Sequence, residues 1–199
     1  MALTITDPTG ENIIEISDEL RGKANGKIIL SGRKNYVRIA NTTRNLNIYA
    51  RLGHNCRLQI GANINCQSLG IFQAKDSLVE IGDDFGCNGK GNLYLHEPSA
   101  ISIGNGCLFA DGVMLTTSDM HSIVDISTGT RINPAQDIYL GHRVWLGLNA
   151  MVLKGSRIGN GSIVGAHSLV SGKIPDNCSA AGNPAKVLRE GITWNSQLL

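Results

Sequence analysis

The sequence predicts an all-β solenoid, in which three short parallel strands make each coil, with one loop extruded from its wall and a short C-terminal helix. A six-residue repeat, abundant glycine and scarce aromatic residues indicate this fold. Glycine supplies 24 of 199 residues and aromatic side chains only 5%. This composition favours a narrow interior filled by aliphatic and small side chains over a core of large rings.

The repeat is uninterrupted from Leu140 onward. Aliphatic residues recur at every sixth position, namely Leu140, Leu146, Val152, Ile158, Val164 and Val170. Small or β-branched residues follow each of them by four positions, namely Val144, Ala150, Ser156, Ser162, Ser168 and Ile174. A period of six fits neither an α-helix nor a hairpin. It fits a triangular coil of about 18 residues with three strands and three corners, so both sets are expected to face inward.

Upstream of Leu140 the repeat is looser. Ile39, Ile60, Ile81 and Ile103 are separated by 21, 21 and 22 residues, so these coils carry three or four extra residues, which we expect as small corner loops. Coils of this kind are stabilised mainly by contacts with their nearest neighbours. The sequence therefore predicts a β-helix over residues 36–175, preceded by strands or an irregular cap over residues 1–35.

The pattern lapses between Leu115 and Leu140, where inward positions hold His121, Ser127 and Asn133. We interpret the polar stretch 117–137 as a loop extruded from the wall. Long loops on rigid scaffolds are uncommon unless they carry function.

The repeat ends near residue 175, and residues 176–199 form a separate C-terminal segment. Its sequence Ala-Gly-Asn-Pro at positions 181–184 predicts a turn into a short helix over residues 185–190, with proline near the helix start. This segment is expected to cover the open end of the column.

Charge and composition limit the possible partners. The net charge is only +2, without a long run of one sign, which disfavours non-specific nucleic-acid binding. No apolar run approaches the ~20 residues that a membrane-spanning helix needs, and no secretory signal is recognisable. The five cysteines are odd in number and form no C-x-x-C pair, as expected for reduced thiols. We therefore expect a cytoplasmic protein that neither binds nucleic acid nor inserts into membranes.

Four segments carry specific motifs, which read TSDMHSI at 117–123, RIN at 131–133, VWLG at 144–147 and AAGNPAKVLR at 180–189. Together they resemble the hexapeptide-repeat O-acetyltransferases, and among these most of all the bacterial polysialic acid capsule O-acetyltransferases. The resemblance implies that the coil is left-handed. It also implies acetyl-CoA as co-substrate, a carbohydrate acceptor, and a homotrimer with active sites between subunits.

The resemblance also assigns catalytic roles. Acyl transfer from a thioester to a hydroxyl needs a base, and a neutral imidazole is suited to this at pH 7. His121, on the extruded loop, matches the family base. Asp119 is expected to orient that imidazole or to bind the acceptor. Trp145 faces outward from its hexad, so it either lines the site or packs in a subunit interface, and the resemblance favours the site.

Coenzyme A is expected along a groove between the stacked coils. Backbone N–H groups near Gly147 are candidate donors to the thioester carbonyl. The resemblance implies further contacts from Leu148, Ala166 and Ser171 along the groove and from Lys186 and Arg189 to the nucleotide phosphates, with Lys173 as a further candidate for the phosphates. Relatives often have a lysine where this chain has Gly172, so the phosphate contact is expected to shift to Lys173 or to be lost.

Together these features predict an acetyl-CoA-dependent O-acetyltransferase that modifies a sugar of a bacterial surface polysaccharide. Transfer is expected in a ternary complex, because no nucleophilic cysteine is well placed. An N-acetyltransferase of an amino or nucleotide sugar and a non-catalytic β-helix scaffold are the alternatives, although a scaffold has no need of His121 beside Trp145. A zinc hydratase needs two histidines about five residues apart, whereas His121, His142 and His167 are 21 and 25 apart, so no metal is expected.

Overall fold

The computed structural model describes residues 2–41 and 44–199, which form twenty-one strands and one short helix. The strands are β1 (Thr4–Thr6), β2 (Ile13–Glu15), β3 (Asn25–Leu30), β4 (Tyr36–Ile39), β5 (Leu46–His54), β6 (Arg57–Ile60), β7 (Asn65–Lys75), β8 (Leu78–Ile81), β9 (Gly86–Leu95), β10 (Ala100–Ile103), β11 (Leu108–Phe109), β12 (Val113–Thr116), β13 (Ile138–Leu140), β14 (Trp145–Leu146), β15 (Met151–Leu153), β16 (Arg157–Ile158), β17 (Ile163–Val164), β18 (Leu169–Val170), β19 (Lys173–Ile174), β20 (Cys178–Gly182) and β21 (Ala185–Glu190). The helix is α1 (Asp18–Lys23). It is too short to cross a membrane, and no other helix exists in the described part of the chain.

The strands stack into three parallel faces. Face 1 contains β11, β14, β17 and β20 together with the first residues of β7 and β9. Face 2 contains β12, β15 and β18, together with the later residues of β5, β7 and β9. Face 3 is an eight-stranded sheet of β2, β4, β6, β8, β10, β13, β16 and β19. Three faces with parallel pairing throughout the coils confirm the predicted β-solenoid.

The inward positions of the repeat are buried as predicted. The six aliphatic residues from Leu140 to Val170 are at most 2% exposed. The serines at the small positions are buried too, and their hydroxyls join neighbouring coils. Ser156 Oγ donates to the Val170 carbonyl (3.1 Å) and Ser162 Oγ to the Pro175 carbonyl (2.7 Å). Because these buried hydroxyls are hydrogen-bonded, they do not weaken the apolar column.

The longer upstream coils differ from the prediction of small corner loops. Ile39, Ile60, Ile81 and Ile103 stack in register on face 3 as expected. The extra residues lie within β5, β7 and β9, which continue around the corner between faces 1 and 2 and shift register once in the β5–β7 and β7–β9 pairings. A β-bulge accommodates an added residue while preserving the hydrogen bonding on either side.

The N-terminal segment pairs with the solenoid. Strand β1 is parallel to β3 and β2 is parallel to β4, so the pairing extends upstream of residue 36. Helix α1 begins after Ser17, whose hydroxyl accepts the Leu20 N–H, and the Leu20 side chain is buried in the core.

The C-terminal segment contradicts one prediction. Residues Ala185–Glu190 form strand β21, which pairs antiparallel with β20, and not a helix. The chain reverses at Gly182 (φ 103°), next to a cis Asn183–Pro184 bond. Strand β20 would otherwise leave its outer N–H and C=O groups unpaired, and a strand satisfies those groups whereas a helix does not.

Candidate active site

The extruded loop leaves the corner between faces 2 and 3, where it joins β12 to β13. Directly below it, Lys154 and Gly155 join β15 to β16, and Ser171 and Gly172 join β18 to β19. We call this corner the loop edge. Since adjacent parallel strands lie about 4.8 Å apart, the third connection is roughly 10 Å below the loop.

Asn133 ties the two ends of the loop together. Its side chain is 6% exposed and makes four hydrogen bonds. The amide oxygen accepts from the Ile123 N–H (2.7 Å) and from Arg131 Nε (3.2 Å). The amide nitrogen donates to the His121 carbonyl and to Asp119 Oδ2, both at 2.8 Å. A single buried amide therefore fixes the backbone at His121 and Ile123 and also holds the Asp119 carboxylate before them.

Glu97, on the preceding coil, holds the loop from above. It accepts two hydrogen bonds from the Arg131 guanidinium, at 2.6 and 2.8 Å, and a third from Ser118 Oγ. The Arg131 bonds and then the Ser118 bond lower the pKa of Glu97 to about 2. Ser118 Oγ also accepts the Met120 N–H (3.0 Å), so this anchor reaches the residue next to His121.

Lys154, on the following coil, holds the loop from below. Its ammonium lies 2.6 Å from Asp119 Oδ2 and also donates to the carbonyls of Asn133 (3.2 Å) and Pro134 (3.3 Å). The hydrogen bond from Lys154, followed by that from Asn133, lowers the pKa of Asp119. The loop is thus connected by charged side chains to both neighbouring coils.

These anchors leave the His121 imidazole available. The His121 N–H donates to the Asp119 carbonyl (2.8 Å) across Met120, whose φ of 64° is left-handed, so the backbone makes a γ-turn. Strained turns of this type concentrate at functional sites. The side chain is exposed, and nothing within residues 2–41 and 44–199 hydrogen-bonds to its ring. Asp119, a predicted partner of the imidazole, instead directs its carboxylate to Lys154 and Asn133.

Trp145 lies on a different side of the molecule. It belongs to β14 on face 1, is 38% exposed, and sits in register between Leu108 and Ile163. Its ring centroid is 6.0 Å from that of Trp194, with the planes tilted by 51°. The structure records no hydrogen bond or ring contact between Trp145 and His121 within this chain.

The predicted coenzyme residues divide into two groups. Gly147, Leu148 and Ala166 lie at the corner between faces 1 and 2. The Gly147 N–H already donates to the Val164 carbonyl (2.8 Å), so it is not free for a thioester, whereas the N–H groups of Leu148 and Ala166 have no protein partner in the described ranges.

The second group surrounds a cavity of about 320 Å³ at the foot of the loop edge. Ser171, Gly172 and Lys173 line it from the last coil, and Lys186 lines it from β21. Two lysines therefore line one cavity, a lining whose positive charge suits a phosphate ligand. Arg189 lies further along β21, exposed and outside the cavity lining.

Comparisons with known proteins place the chain in a family, although no protein-family model matches it. It is 33% identical over 190 residues to the polysialic acid O-acetyltransferase of Neisseria meningitidis, covering 95% of this chain and 74% of that protein. It is 39% identical over 148 residues to the putative lipopolysaccharide biosynthesis O-acetyl transferase WbbJ of Escherichia coli K12, covering 69% and 70%. The chain belongs to the hexapeptide-repeat O-acetyltransferases.

The solved structures agree with this family. The polysialic acid O-acetyltransferase OatWY superposes with a TM-score of 0.82 at 27% identity, covering all of this chain and 93% of that one. The chain is therefore an acyltransferase with the left-handed parallel β-helix of these O-acetyltransferases. A further relative, the polysialic acid O-acetyltransferase of Escherichia coli O1:K1, is longer, and the chain spans 34% of its length at 36% identity.

The remaining histidines do not assemble a metal site in this O-acetyltransferase. His142 lies at the corner between faces 3 and 1, where its Nδ1 accepts the Asn105 N–H (3.0 Å). His167 lies at the corner between faces 1 and 2. The two occupy different corners from His121, and the described residues contain no group of three His, Cys, Asp or Glu side chains that could hold a metal ion.

Sequence reasoning missed the residues that hold the loop. No motif in the sequence points to Glu97 or Lys154, Arg131 belongs only to the RIN motif, and Asn133 belongs to that motif and to an inward position of the lapsed repeat. The length of a coil is one signal that could reveal the contact between Glu97 and Ser118, because Glu97 precedes Ser118 by 21 residues, the length of an upstream coil. Residues one coil apart are neighbours in a solenoid, so a polar pair with this spacing at a corner predicts a contact.

Proposed function

We propose that this chain transfers the acetyl group of acetyl-CoA to a sugar hydroxyl of an anionic bacterial surface polysaccharide. The loop edge carries the proposal. It presents an unpartnered imidazole on a loop that is anchored to the coils above and below, and a cavity lined by Lys173 and Lys186 lies at the connection two strand spacings, roughly 10 Å, below the base of that loop. The acceptor class follows the relatives, which are named for polysialic acid and lipopolysaccharide.

His121 acts as the general base in this proposal. Acetyl-CoA supplies the acetyl group as a thioester. A ring nitrogen of His121 takes the proton of the acceptor hydroxyl as the hydroxyl oxygen bonds to the thioester carbonyl carbon. The carbon–sulfur bond breaks, and the imidazolium returns the proton to the sulfur, so the enzyme ends as it began. Direct transfer in a ternary complex needs no acyl-enzyme, and all five cysteines are buried.

The donor site fits this chain's own residues. Lys173 and Lys186 would bind the phosphates, with Lys173 serving in place of the family lysine at position 172. Ser171 lies at the same opening. The N–H groups of Leu148 and Ala166 lie at the other corner of face 2, so they would hydrogen-bond the amide-rich arm where a neighbouring protomer brings the two corners together. We propose a cytoplasmic reaction, because acetyl-CoA is a cytoplasmic metabolite.

A homotrimer would complete the site. His121 lies at the loop edge and Trp145 on face 1, so the two meet only if the loop edge of one protomer approaches face 1 of its neighbour. Such a heterologous contact closes naturally around a threefold axis. The loop exposes apolar side chains suited to such an interface. The exposed fractions of Ile123, Val124, Ile126 and Ile132 are 53%, 47%, 101% and 60%.

The test is thiol release from acetyl-CoA in the presence of a sialic acid oligomer, lipopolysaccharide sugars and amino sugars. His121→Asn is expected to lower kcat by a factor of about 100 to 10,000 and to leave the KM for acetyl-CoA nearly unchanged. His167→Asn is the matched control, because it removes an imidazole at a left-handed position that asparagine tolerates (φ 55°).

Three results would count against the proposal. A loss of less than tenfold would remove His121 as the base. Equal loss in the control would indicate a general defect. Thiol release only with amino sugars would replace O-transfer by N-transfer.

A further inference from the structure

The C-terminal tail folds back onto the solenoid at the corner between faces 3 and 1. The Ile192 N–H donates to the Asn177 carbonyl (2.9 Å). Trp194 Nε1 donates to the Arg143 carbonyl (2.6 Å), and Arg143 Nη2 donates to the Trp194 carbonyl (3.0 Å). The Arg143 guanidinium carbon also lies 5.5 Å from the Trp194 ring centroid. These reciprocal contacts hold the second tryptophan of the chain in a fixed position.

Beside Trp194 the tail encloses a polar cleft of about 540 Å³, which we call the tail cleft. Its lining residues include Trp194, two arginines, one aspartate and two asparagines, namely Arg44, Arg143, Asp84, Asn65 and Asn88. Two of these residues are cationic and one is anionic, so the lining carries a net positive charge. The Asn65 and Asn88 side chains have no protein partner in the described parts of the chain.

The tail cleft is continuous with Trp145. Asn65, Gly86, Leu108 and Trp145 follow one another in register on face 1, over three strand spacings of about 4.8 Å each, or roughly 14 Å. A Cβ at position 86 would lie only 2.9 Å from Leu108 Cδ1, so glycine at this position leaves the surface of face 1 open between Asn65 and Leu108. At the far end, the Trp194 ring touches the Trp145 ring. An extended ligand could therefore reach from the tail cleft to the proposed acceptor position.

We propose that the tail cleft binds an anionic carbohydrate chain and holds the sugar units that flank the unit being acetylated. This inference rests on the proposed function. Amides match sugar hydroxyl and acetamido groups, an arginine fork matches a sugar carboxylate, and an indole face packs on the apolar face of a pyranose ring. The span from Asn65 to Trp145 supports the assignment, because roughly 14 Å is longer than a single sugar unit and matches a short oligomer.

The experiment measures binding without catalysis. A short sialic acid oligomer is titrated into His121→Asn protein by calorimetry in the absence of acetyl-CoA. Adding Trp194→Ala, Arg143→Gln or a deletion of residues 192–199 is expected to weaken this binding at least tenfold. A neutral maltooligosaccharide of equal length is expected to bind at least tenfold more weakly than the sialic acid oligomer. The matched control is Arg51→Gln, an exposed arginine on face 2, which is expected to retain the affinity.

Several results would overturn the tail cleft as a subsite. These are no binding of the oligomer to the parent protein, unchanged affinity in the Trp194 and Arg143 variants, equal loss in Arg51→Gln, or displacement of the oligomer by coenzyme A alone. Thermal unfolding of each variant separates lost binding from lost folding, and the tail deletion gives a second route if one substitution destabilises the chain.

The experiments distinguish a failure of the proposed acetyl transfer from a failure of the tail cleft as a subsite. A wild-type protein that binds the oligomer through Trp194 but releases no thiol contradicts the acetyl transfer and leaves the subsite standing. Acetylation with unchanged binding in Trp194→Ala contradicts only the subsite.

Discussion

The regular wall over residues 138–174 and the extruded loop over residues 117–137 use polar side chains in different ways. In the wall, buried serine hydroxyls bond to the backbone of the next coil: Ser156 and Ser162 donate to carbonyls, and Ser168 accepts the Gly182 N–H. In the loop, Glu97, Asn133 and Lys154 come from three successive coils and hold the segment around one histidine, Glu97 and Lys154 through the side chains of Arg131 and Asp119 and Asn133 through the His121 carbonyl. The wall gains stability from repetition, whereas the loop gains a single defined geometry from contacts that occur once.

The largest effect on stability is expected in the wall. Leu146 is fully buried in the column, so Leu146→Ala should lower the free energy of unfolding by about 2–5 kcal/mol through lost burial and a cavity. Ser122→Ala, at an exposed loop position, should change it by less than about 0.5 kcal/mol. Denaturant unfolding of both variants measures the difference. Equal losses would show that the loop is part of the cooperative core.

The second prediction concerns the loop, where a substitution is expected to lower activity more than stability. Asn133→Ala removes the amide that bonds the His121 carbonyl and the Ile123 N–H, and kcat should fall about 10- to 100-fold. Because Asn133 is a positioning residue, the KM for acetyl-CoA and the pH midpoint of kcat/KM should stay constant. Asn160→Ala is the control, since its amide bridges coils at a corner of the wall. A kcat loss as large in Asn160→Ala would contradict the role of Asn133.

The smallest effect is the pH dependence of the upper anchor. The pKa of Glu97 in the folded protein, about 2, lies below its ordinary value of 4.5, so its charge stabilises the fold above pH 4.5. This contribution is lost as the pH falls from 4.5 toward 2. Glu97 is about a quarter exposed, so Glu97→Gln should cost about 1 kcal/mol, or roughly 2–4 °C in Tm, at pH 7. The difference in Tm from wild type should shrink as the pH falls below 4.5 and vanish only below pH 2, and a constant difference would exclude this ion pair as its source.

The contrast between wall and loop also explains which features can be predicted from the sequence. A strict six-residue period states which residues point inward, and its lapse marks the loop and His121. The contacts of Lys154 and Glu97 depend on how coils of unequal length align, which the period does not encode. The sequence predicts a helix where strand β21 lies, because a Gly-Asn-Pro turn can precede a helix or a strand. The open edge of β20 favours the strand, which pairs with it. Trp194 lies beyond the repeat, so no register could connect it to Trp145.

The central claim, that loop and wall of different protomers form one active site, has a direct test by mixing two inactive variants. Coexpression of His121→Asn with Trp145→Ala should form mixed trimers in which about a quarter of the sites pair an intact His121 with an intact Trp145, restoring about a quarter of wild-type thiol release. If His121 and Trp145 acted within one protomer, every site would lack one of them. Activity no higher than that of the separate variants would contradict the shared site.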